Sequence, residues 1–542
     1  MKVILSSILL LFQLLCFGQS SPGIQWQKDY GGTLIEQASA IEETSDSGFI
    51  VIGYAFSNDL DVPPNHGEGD IWVLKLDKNH QKEWSKCLGG SAGENASSIH
   101  QTKDGGYILC GTTSSNDGDV SGHHNSIRPQ DYWVVKLDNT GAIQWQKCYG
   151  GTHNDNAIAV RQTKDGGYVI VGNSLSKDGD ITSHHFDSLL NNNSDIWALR
   201  TDSAGKILWQ KSLGGTLDEY AGQIILCKSG GFLIAGTSWS IDGEVSGHHT
   251  GPSNWGDEWM VRLDDSGHVA WQKSLGGKYN EIAYDVVEMN GGFVIAGSTN
   301  SFDGDVKGQH LLPDSVTHEN DAWVTGINAN GNLLWQKCVG GVKNDIAFSI
   351  SMPDNVSVVL AGITDSQDGD VTGYHVNQLI TDAPDFFVFR LAINSPNDIV
   401  WKQCIGGSNP DEARSIVSTM DGGYAIAGYT KSGDGDALGN VDSTKGQFWV
   451  VKMNPDPLHP GLNRLATEEN LLAYPNPVKD FLQINNIAEG TLVSVFSISG
   501  QKVLTGIASL VGIDLSRVQT GMYFLRFENP EMNTQTIKFI KE

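Results

Sequence analysis

Two acids one residue apart, followed five residues later by a histidine, recur along this 542-residue chain. The acid pairs are Asp59/Asp61, Asp117/Asp119, Asp178/Asp180, Asp242/Glu244, Asp303/Asp305, Asp368/Asp370 and Asp434/Asp436. The histidines are His66, His124, His185, His249, His310 and His375, with Val441 in the seventh place. Hard oxygens alternating along a loop can hold Ca²⁺ together with backbone carbonyls. On that reading Asp117, Asp119, Asp178, Asp180, Asp303, Asp305, Asp368 and Asp370 are candidate ligands for a structural calcium. Each loop lacks the further carboxylates of a strong calcium loop, and Asp-Gly is also an ordinary turn signal. Turn chemistry therefore stands beside calcium. Six symmetry-related histidines lie too far apart to share one ion and read first as loop packing.

Aromatic residues offer a second chemistry. Thirteen of the 15 tryptophans fall at two repeated positions. Trp239 and Trp255 alone fall outside them, in one long loop that also holds His249. A loop tryptophan with no sheet to bury against can serve as a stacking platform for a sugar or a peptide. Trp239, Trp255 and His249 are therefore the ligand-binding candidates, and the alternative is that each tryptophan pins its own loop. No nucleophile motif, asymmetric acid pair or nucleotide loop is legible, so no residue is assigned to catalysis. An enzyme reading would need two carboxyls in a central pocket that are not part of the repeated set.

These residues sit on a unit written seven times. A Trp followed by Gly-Gly recurs at Trp26, Trp84, Trp145, Trp209, Trp271, Trp335 and Trp401. Each unit holds four strand-like runs separated by turn signals, which predicts a seven-bladed β-propeller. The first unit lacks the strand before its Trp run, and Phe448–Met453 would supply it last, closing the ring. Four residues after each Gly-Gly stands an acid (Glu36, Glu94, Asp155, Glu219, Glu281, Asp345, Asp411), and two further on an Ala. Identity in every unit argues that the acid accepts backbone N–H groups at a strand start. Strand direction puts the acids, the Asp-Gly-Asp loops, the histidines and both odd tryptophans on one face. Six cysteines follow the leader, and four of them (Cys87, Cys148, Cys338, Cys404) share one repeat position, which suits buried thiols rather than disulfides.

Composition bounds the partners. Lys+Arg is 36 and Asp+Glu 63, a net charge of −27, which disfavours nucleic acid. Such a face suits cations or neutral glycans better than anionic polymers. Residues 1–18 read as a signal peptide, with Lys2 ahead of an apolar run and Cys16-Phe17-Gly18 before the cut. No later run reaches transmembrane length, so no spanning helix is expected.

The repeat "Asp-x-Trp-Val-Val-Lys-Leu-Asp", with its Gly-Gly, Asp-Gly-Gly-Tyr and Gly-x-Thr motifs, resembles the seven-bladed propeller repeat of bacterial surface proteins. The stretch Leu137–Trp145 is similar to the Trp-docking turn of quinoprotein-like propellers, where it is structural and implies no quinone. Near the end, Tyr474-Pro475-Asn476-Pro477, Val495–Val503 and Gly521-Met522-Tyr523 resemble the type A C-terminal sorting domain of type IX secretion in Bacteroidota. That resemblance implies handling by the type IX machinery, removal of the domain, and release or surface attachment. The expected organisation is a signal peptide (1–18), a propeller (19–454), a proline-rich linker (455–470) and a β-sandwich sorting domain (471–542). The expected function is an exported surface module binding a glycan or protein. A polysaccharide-active hydrolase or lyase, and a purely structural surface protein, stand as the alternatives.

Overall fold

The computed structural model of the chain describes residues 21–124, 129–185, 193–249, 255–310, 319–375, 383–394, 399–440, 444–457, 473–474, 478–479, 481–484, 492–497, 501–507, 513–527 and 536–541. The leader falls outside them. Every regular element among the described residues is a strand. The chain divides into two compact units, Met1–Gly461 and Leu462–Glu542.

Among the described residues the first unit forms seven four-stranded antiparallel sheets. Each begins at a repeated acid, in the strands Glu36–Glu43, Glu94–Gln101, Asp155–Gln162, Glu219–Leu226, Glu281–Met289, Asp345–Ser351 and Asp411–Ser418. The Trp run of the following sequence unit is the outermost strand of the sheet, as Ile143–Tyr149 is in the sheet begun by Glu94. The last sheet therefore needs a strand from elsewhere. Ile24–Tyr30 provides it by pairing with Gln447–Met453, with Lys28 opposite Val450. Each acid-led strand lies against that of the next sheet, and Asp411–Ser418 lies against Glu36–Glu43.

The apolar core lies between sheets rather than in one centre. Ile50, Ile52 and Val73 of the first sheet pack with Tyr107, Leu109 and Trp133 of the second, and the pattern continues around the unit. Strands buried on both faces read as near-continuous apolar runs, as in Phe49–Ala55 and Asp131–Leu137. The repeated Ala packs opposite a Gly on the neighbouring strand, and the register slips directly after it, between Ala38 and Ala40 and at each equivalent. This bulge was not foreseen. It explains the paired Gly: a Cβ on Gly111 would stand 1.9 Å from the Asn95 carbonyl oxygen.

Both tryptophan sets join elements. Trp133, Trp197, Trp259, Trp323 and Trp449 are fully buried and donate their indole N–H to Gln146, Gln210, Gln272, Gln336 and Gln27 at 2.7–2.9 Å. The repeat that pairs with Trp72 has Ser85 where the others carry the Gln, and the Trp72 indole N–H is left unpaired. The outer-strand Trp84 rests on the Asp-x-x-Gly turn of the next sheet, where Gly141 has φ +79° and a Cβ would stand 2.8 Å from the indole.

Among the described residues the second unit forms two small sheets, one of Ala473–Tyr474, Phe481–Ile484 and Ile513–Asp514 and one of Lys502–Ile507, Leu492–Ser497, Gly521–Phe527 and Thr536–Lys541. Val478, Leu482, Val493, Val495 and Leu525 are buried in its core.

One sequence expectation is revised at the boundary. Asp456, read as linker from its proline-rich surroundings, is buried. Its Oδ2 meets Arg390 Nη1 at 2.5 Å and accepts from Trp401 Nε1 at 2.6 Å and from the Tyr424 hydroxyl at 3.1 Å. The chain is thus pinned past its last propeller strand. Removing one member of a buried pair strands the other charge, a loss of about 3 kcal/mol or more. Asp354 Oδ2 meets Arg390 Nη2 at 2.5 Å. Asp456→Ala is expected to lower the unfolding free energy of the first unit by about that amount, measured by denaturant titration; a change below about 0.5 kcal/mol would show that Asp354 alone satisfies Arg390.

Candidate functional site

The repeated polar residues form one network on the loop face. In all seven sheets the second Gly of Gly-Gly donates its N–H to the buried acid at 2.7–2.9 Å. The first acid of each Asp-Gly-Asp loop accepts the next N–H in the chain, as Asp117 does from Ser91 at 2.7 Å and Asp178 from Thr152 at 2.8 Å. The equivalent donors to Asp303 and Asp368 are Lys278 and Val342, each at 2.9 Å. The second acid takes a long bond from the first Gly, 3.4 Å for Asp119 and 3.3 Å for Asp180 and Asp305. The loop carboxylates offered to calcium thus face N–H donors, where a cation would need their lone pairs. Among the described residues no three His, Cys, Asp or Glu side chains are grouped to hold a metal.

The histidines complete this network between sheets. Nδ1 of His66, His124, His185, His249, His310 and His375 meets the Asp that opens the third strand of its own sheet at 2.6–2.9 Å. Nε2 faces the second loop acid of the next sheet at 3.1–3.9 Å. Each imidazole is a clasp across a seam. His249 makes the same bonds as its five equivalents, to Asp257 and Asp305, so the geometry groups it with the repeat and not with the odd tryptophans. At the seventh seam Gln447 replaces the Asp, Val441 lies outside the described residues, and Asp61 pairs with Lys82 at 3.1 Å.

Trp239 and Trp255 each belong to a group of rings. Trp239 meets Tyr220 edge-on at 5.5 Å and covers Gly256, where a Cβ would stand 2.7 Å from the indole. Trp255 is 6.4 Å from Tyr279, which is 5.8 Å from Phe302. Trp255 is 39% exposed, Tyr220 43% and Phe302 46%. Two groups of rings therefore stand on the loop face, Tyr220–Trp239 within the fourth sheet and Trp255–Tyr279–Phe302 from the fourth sheet to the fifth. Sequence reasoning missed Tyr220, Tyr279, Phe302 and the adjacent exposed Ile241. The signal was present: Ile241 and Phe302 stand where other repeats carry Asn58, Asn116, Lys177, Gln367 and Gly433.

The acid-led strands enclose a cavity of about 600 Å³. Its wall is less symmetric than the repeats suggest. At one level the seven strands present Glu42, His100, Arg161, Ile225, Val287, Ser351 and Val417. His100 Nδ1 meets Glu42 Oε2 at 2.5 Å, and Ser98 Oγ lies 3.3 Å from His100 Nε2. That order of groups is the one used to activate a serine. Here Arg161 Nη1 donates to the same Nε2, so the lone pair that would take the serine proton is occupied. Asp285 and Glu288 also line the cavity and lie outside the sevenfold set, the condition the enzyme reading required. Asp285 accepts from Gln223 Nε2, Ser349 Oγ and the Ile350 and Val286 N–H groups, and Glu288 from the Lys228 N–H. Both are engaged as inter-strand acceptors.

The six cysteines are free and buried. Cys87 donates to the Pro63 carbonyl at 3.3 Å, and burial pushes the Cys87 and Cys404 thiols up to about 12, away from reactivity. In the second unit Tyr474 lies in a short strand, while Pro475, Asn476 and Pro477 fall outside the described residues. Gly521 opens a strand of the larger sheet, and Tyr523, on the same strand, is buried with its hydroxyl on the Gln519 carbonyl at 2.9 Å.

Comparison with known proteins agrees with this division. Residues 472–542 match the secretion system C-terminal sorting domain. A chain carrying that domain is delivered by type IX secretion to the cell surface or beyond, and no helix among the described residues is long and apolar enough to cross a membrane. The chain is 23% identical over 257 residues to the regulatory protein FlaEY of Caulobacter vibrioides, covering 46% of this chain and 26% of that protein. It thus spans about a quarter of that relative's length. Among solved structures it is similar to the Pan2 WD40 domain of Neurospora crassa (10% identity, 78% of this chain and 91% of that one, TM-score 0.42). It is also similar to PorZ, a surface component of the type IX secretion system of Porphyromonas gingivalis (11% identity, 96% and 75%, TM-score 0.27).

The network has a pH signature. The hydrogen bond to Asp raises each clasp histidine above its usual value, against the opposing effect of burial. A raised folded-state value gives stability that is full below about 6.5 and is lost as pH rises through the folded value. Burial pushes Asp155 up to about 6 and Glu219, Glu281, Asp345 and Asp411 up to about 7. These carboxyls bind protons more tightly folded than unfolded, so they too lose stability as pH rises from about 4 to 7. The two sets share one sign. Melting temperature is expected to fall steadily from about pH 5.5 to about pH 8.5, followed by calorimetry; a rise over that range would contradict the clasp geometry.

Proposed function

We propose that the chain is an exported surface propeller that binds a neutral glycan or protein ligand on its loop face and performs no chemistry of its own. On this reading residues 1–18 are a cleaved leader, residues 19–454 a seven-bladed ring closed by the first and last strands, and the source one of the Bacteroidota. The sorting domain hands the chain to the type IX machinery. Supporting closure is the circuit of acid-led strands, which returns from Asp411–Ser418 to Glu36–Glu43.

The observation that carries the binding reading is the pair Tyr220–Trp239 and the set Trp255–Tyr279–Phe302, two partly exposed ring groups on the loop face of the fourth and fifth sheets. Rings of this kind stack on the C–H faces of sugars or accept apolar anchors of a protein. The surrounding acidity favours a ligand without negative charge. A glycan-array screen of the secreted protein is expected to give a neutral hit that Trp239→Ala with Trp255→Ala weakens at least tenfold, with melting temperature nearly unchanged. A large fall in melting temperature would assign both residues to the loop's own packing. A blank array, followed by capture of a surface protein through the same rings, would choose the protein ligand.

The export assignment has its own test. Deleting residues 474–542 is expected to trap the propeller in the periplasm, seen by fractionation. Normal secretion of that truncate would refute type IX handling.

A further inference from the structure

The cavity enclosed by the acid-led strands has a polar crescent and an apolar one. Glu42, His100 and Arg161 occupy three consecutive strands, and Ile225 and Val287 continue the same level on the next two. Glu42 fixes the outcome at the polar end. It accepts the Nδ1 proton of His100, so Nε2 is an acceptor, and Arg161 Nη1 donates to it. The same Nη1 donates to Ser98 Oγ at 3.4 Å and to the Val160 carbonyl at 2.9 Å. All of the internal bonds of Arg161 thus leave from one nitrogen. Among the described residues Nη2 and Nε make no hydrogen bond, and neither is an orphan sealed from space. One edge of the guanidinium is fixed by its neighbours and the other opens on the cavity. A second arginine lines the same wall: Arg414 lies on the Phe348 ring at 4.4 Å and has a buried Nε without a partner.

A free guanidinium edge presents two parallel N–H donors, the complement of a carboxylate. Held by His100 and Ser98, it loses little freedom on binding. The nearby carboxylates lend Arg161 charge but make no hydrogen bond to its open edge: Asp285 is taken by Gln223, Ser349 and two backbone N–H groups, Glu42 by His100 and the Gln101 N–H, and Glu288 by the Lys228 N–H. The protein's net charge of −27 opposes an anion only weakly at this range, since salt screens charges beyond about 8 Å. The opposite wall (Ile225, Leu226, Val287, Met352 and Val417) is apolar and faces the same space. A cavity of about 600 Å³ has the size of an ordinary small-molecule site.

We propose that this cavity binds a small amphiphilic carboxylate, its carboxylate paired side-on with the open edge of Arg161 and its apolar body against Ile225, Leu226 and Val287. The site is separate from the aromatic groups on the loop face and independent of the glycan reading.

The test uses the full-length secreted protein and two probes, 3-phenylpropanoate and its uncharged amide, titrated by calorimetry. The carboxylate is expected to bind and the amide to bind at least tenfold more weakly. Arg161→Gln should reduce carboxylate affinity by the same factor and leave amide affinity unchanged. Val287→Phe, which fills the apolar wall, should weaken both. If Arg161→Gln does not fold, the comparison of the two probes on the native protein still decides. Equal affinity for acid and amide, no detectable binding of either at millimolar concentration, or loss of binding in the Trp239→Ala, Trp255→Ala variant would each overturn the proposal.

Discussion

A four-stranded antiparallel sheet with two apolar faces is not stable by itself, and that constraint governs the first unit. Strands such as Tyr107–Thr113 and Asp131–Leu137 are buried along their whole length, so both faces of each sheet need a neighbour. The cores accordingly lie at the seams. Each seam is then closed at the loop end by the buried acid on the Gly-Gly N–H and, nearer the surface, by the loop acid on the next N–H and the histidine across to the adjacent sheet. A buried carboxylate without donors would cost several kcal/mol, and here each has several. The sevenfold identity of the acid is the sequence trace of that requirement.

Much of this was legible because periodicity carries it. The Trp and Gly-Gly spacing marked the units, and the missing strand ahead of Trp26 pointed to the pairing with Gln447–Met453. The face shared by acids, loops and histidines followed from strand direction. What was not legible depends on distances between units. The histidines read as packing because their second partner, such as Asp119 for His66, lies in another repeat. The bulge after each Ala left no mark beyond the Ala itself. Asp456 was read as linker because composition was weighed without the buried Arg390 it neutralises.

The candidate sites were less legible than the fold for a related reason. Comparing repeats by what they share finds the scaffold; function needs the positions where they differ. Trp239 and Trp255 were found because they break the tryptophan count. Tyr279 and Phe302 keep the length of their loops and change only residue type, so they were passed over. Glu42, His100 and Arg161 were missed in the same way, although Ile225 and Val287 at the equivalent position make the contrast plain.

The two asymmetric sites use the scaffold differently. On the loop face the clasps hold the backbone, so side chains at Ile241 or Phe302 can change without disturbing a seam. In the cavity each acid-led strand is paired on one side only, and side chains of its neighbours take the N–H groups of its free edge, as Asp285 takes that of Ile350. There a single substitution must find partners among its neighbours. Glu42, His100 and Arg161 do so as a chain, each satisfying the next, and the chain ends on a donor edge with nothing left to satisfy it. A scaffold that repeats its stabilising contacts seven times can carry one incomplete hydrogen-bond chain at little cost to the fold, and that incompleteness is what makes the position available to a ligand.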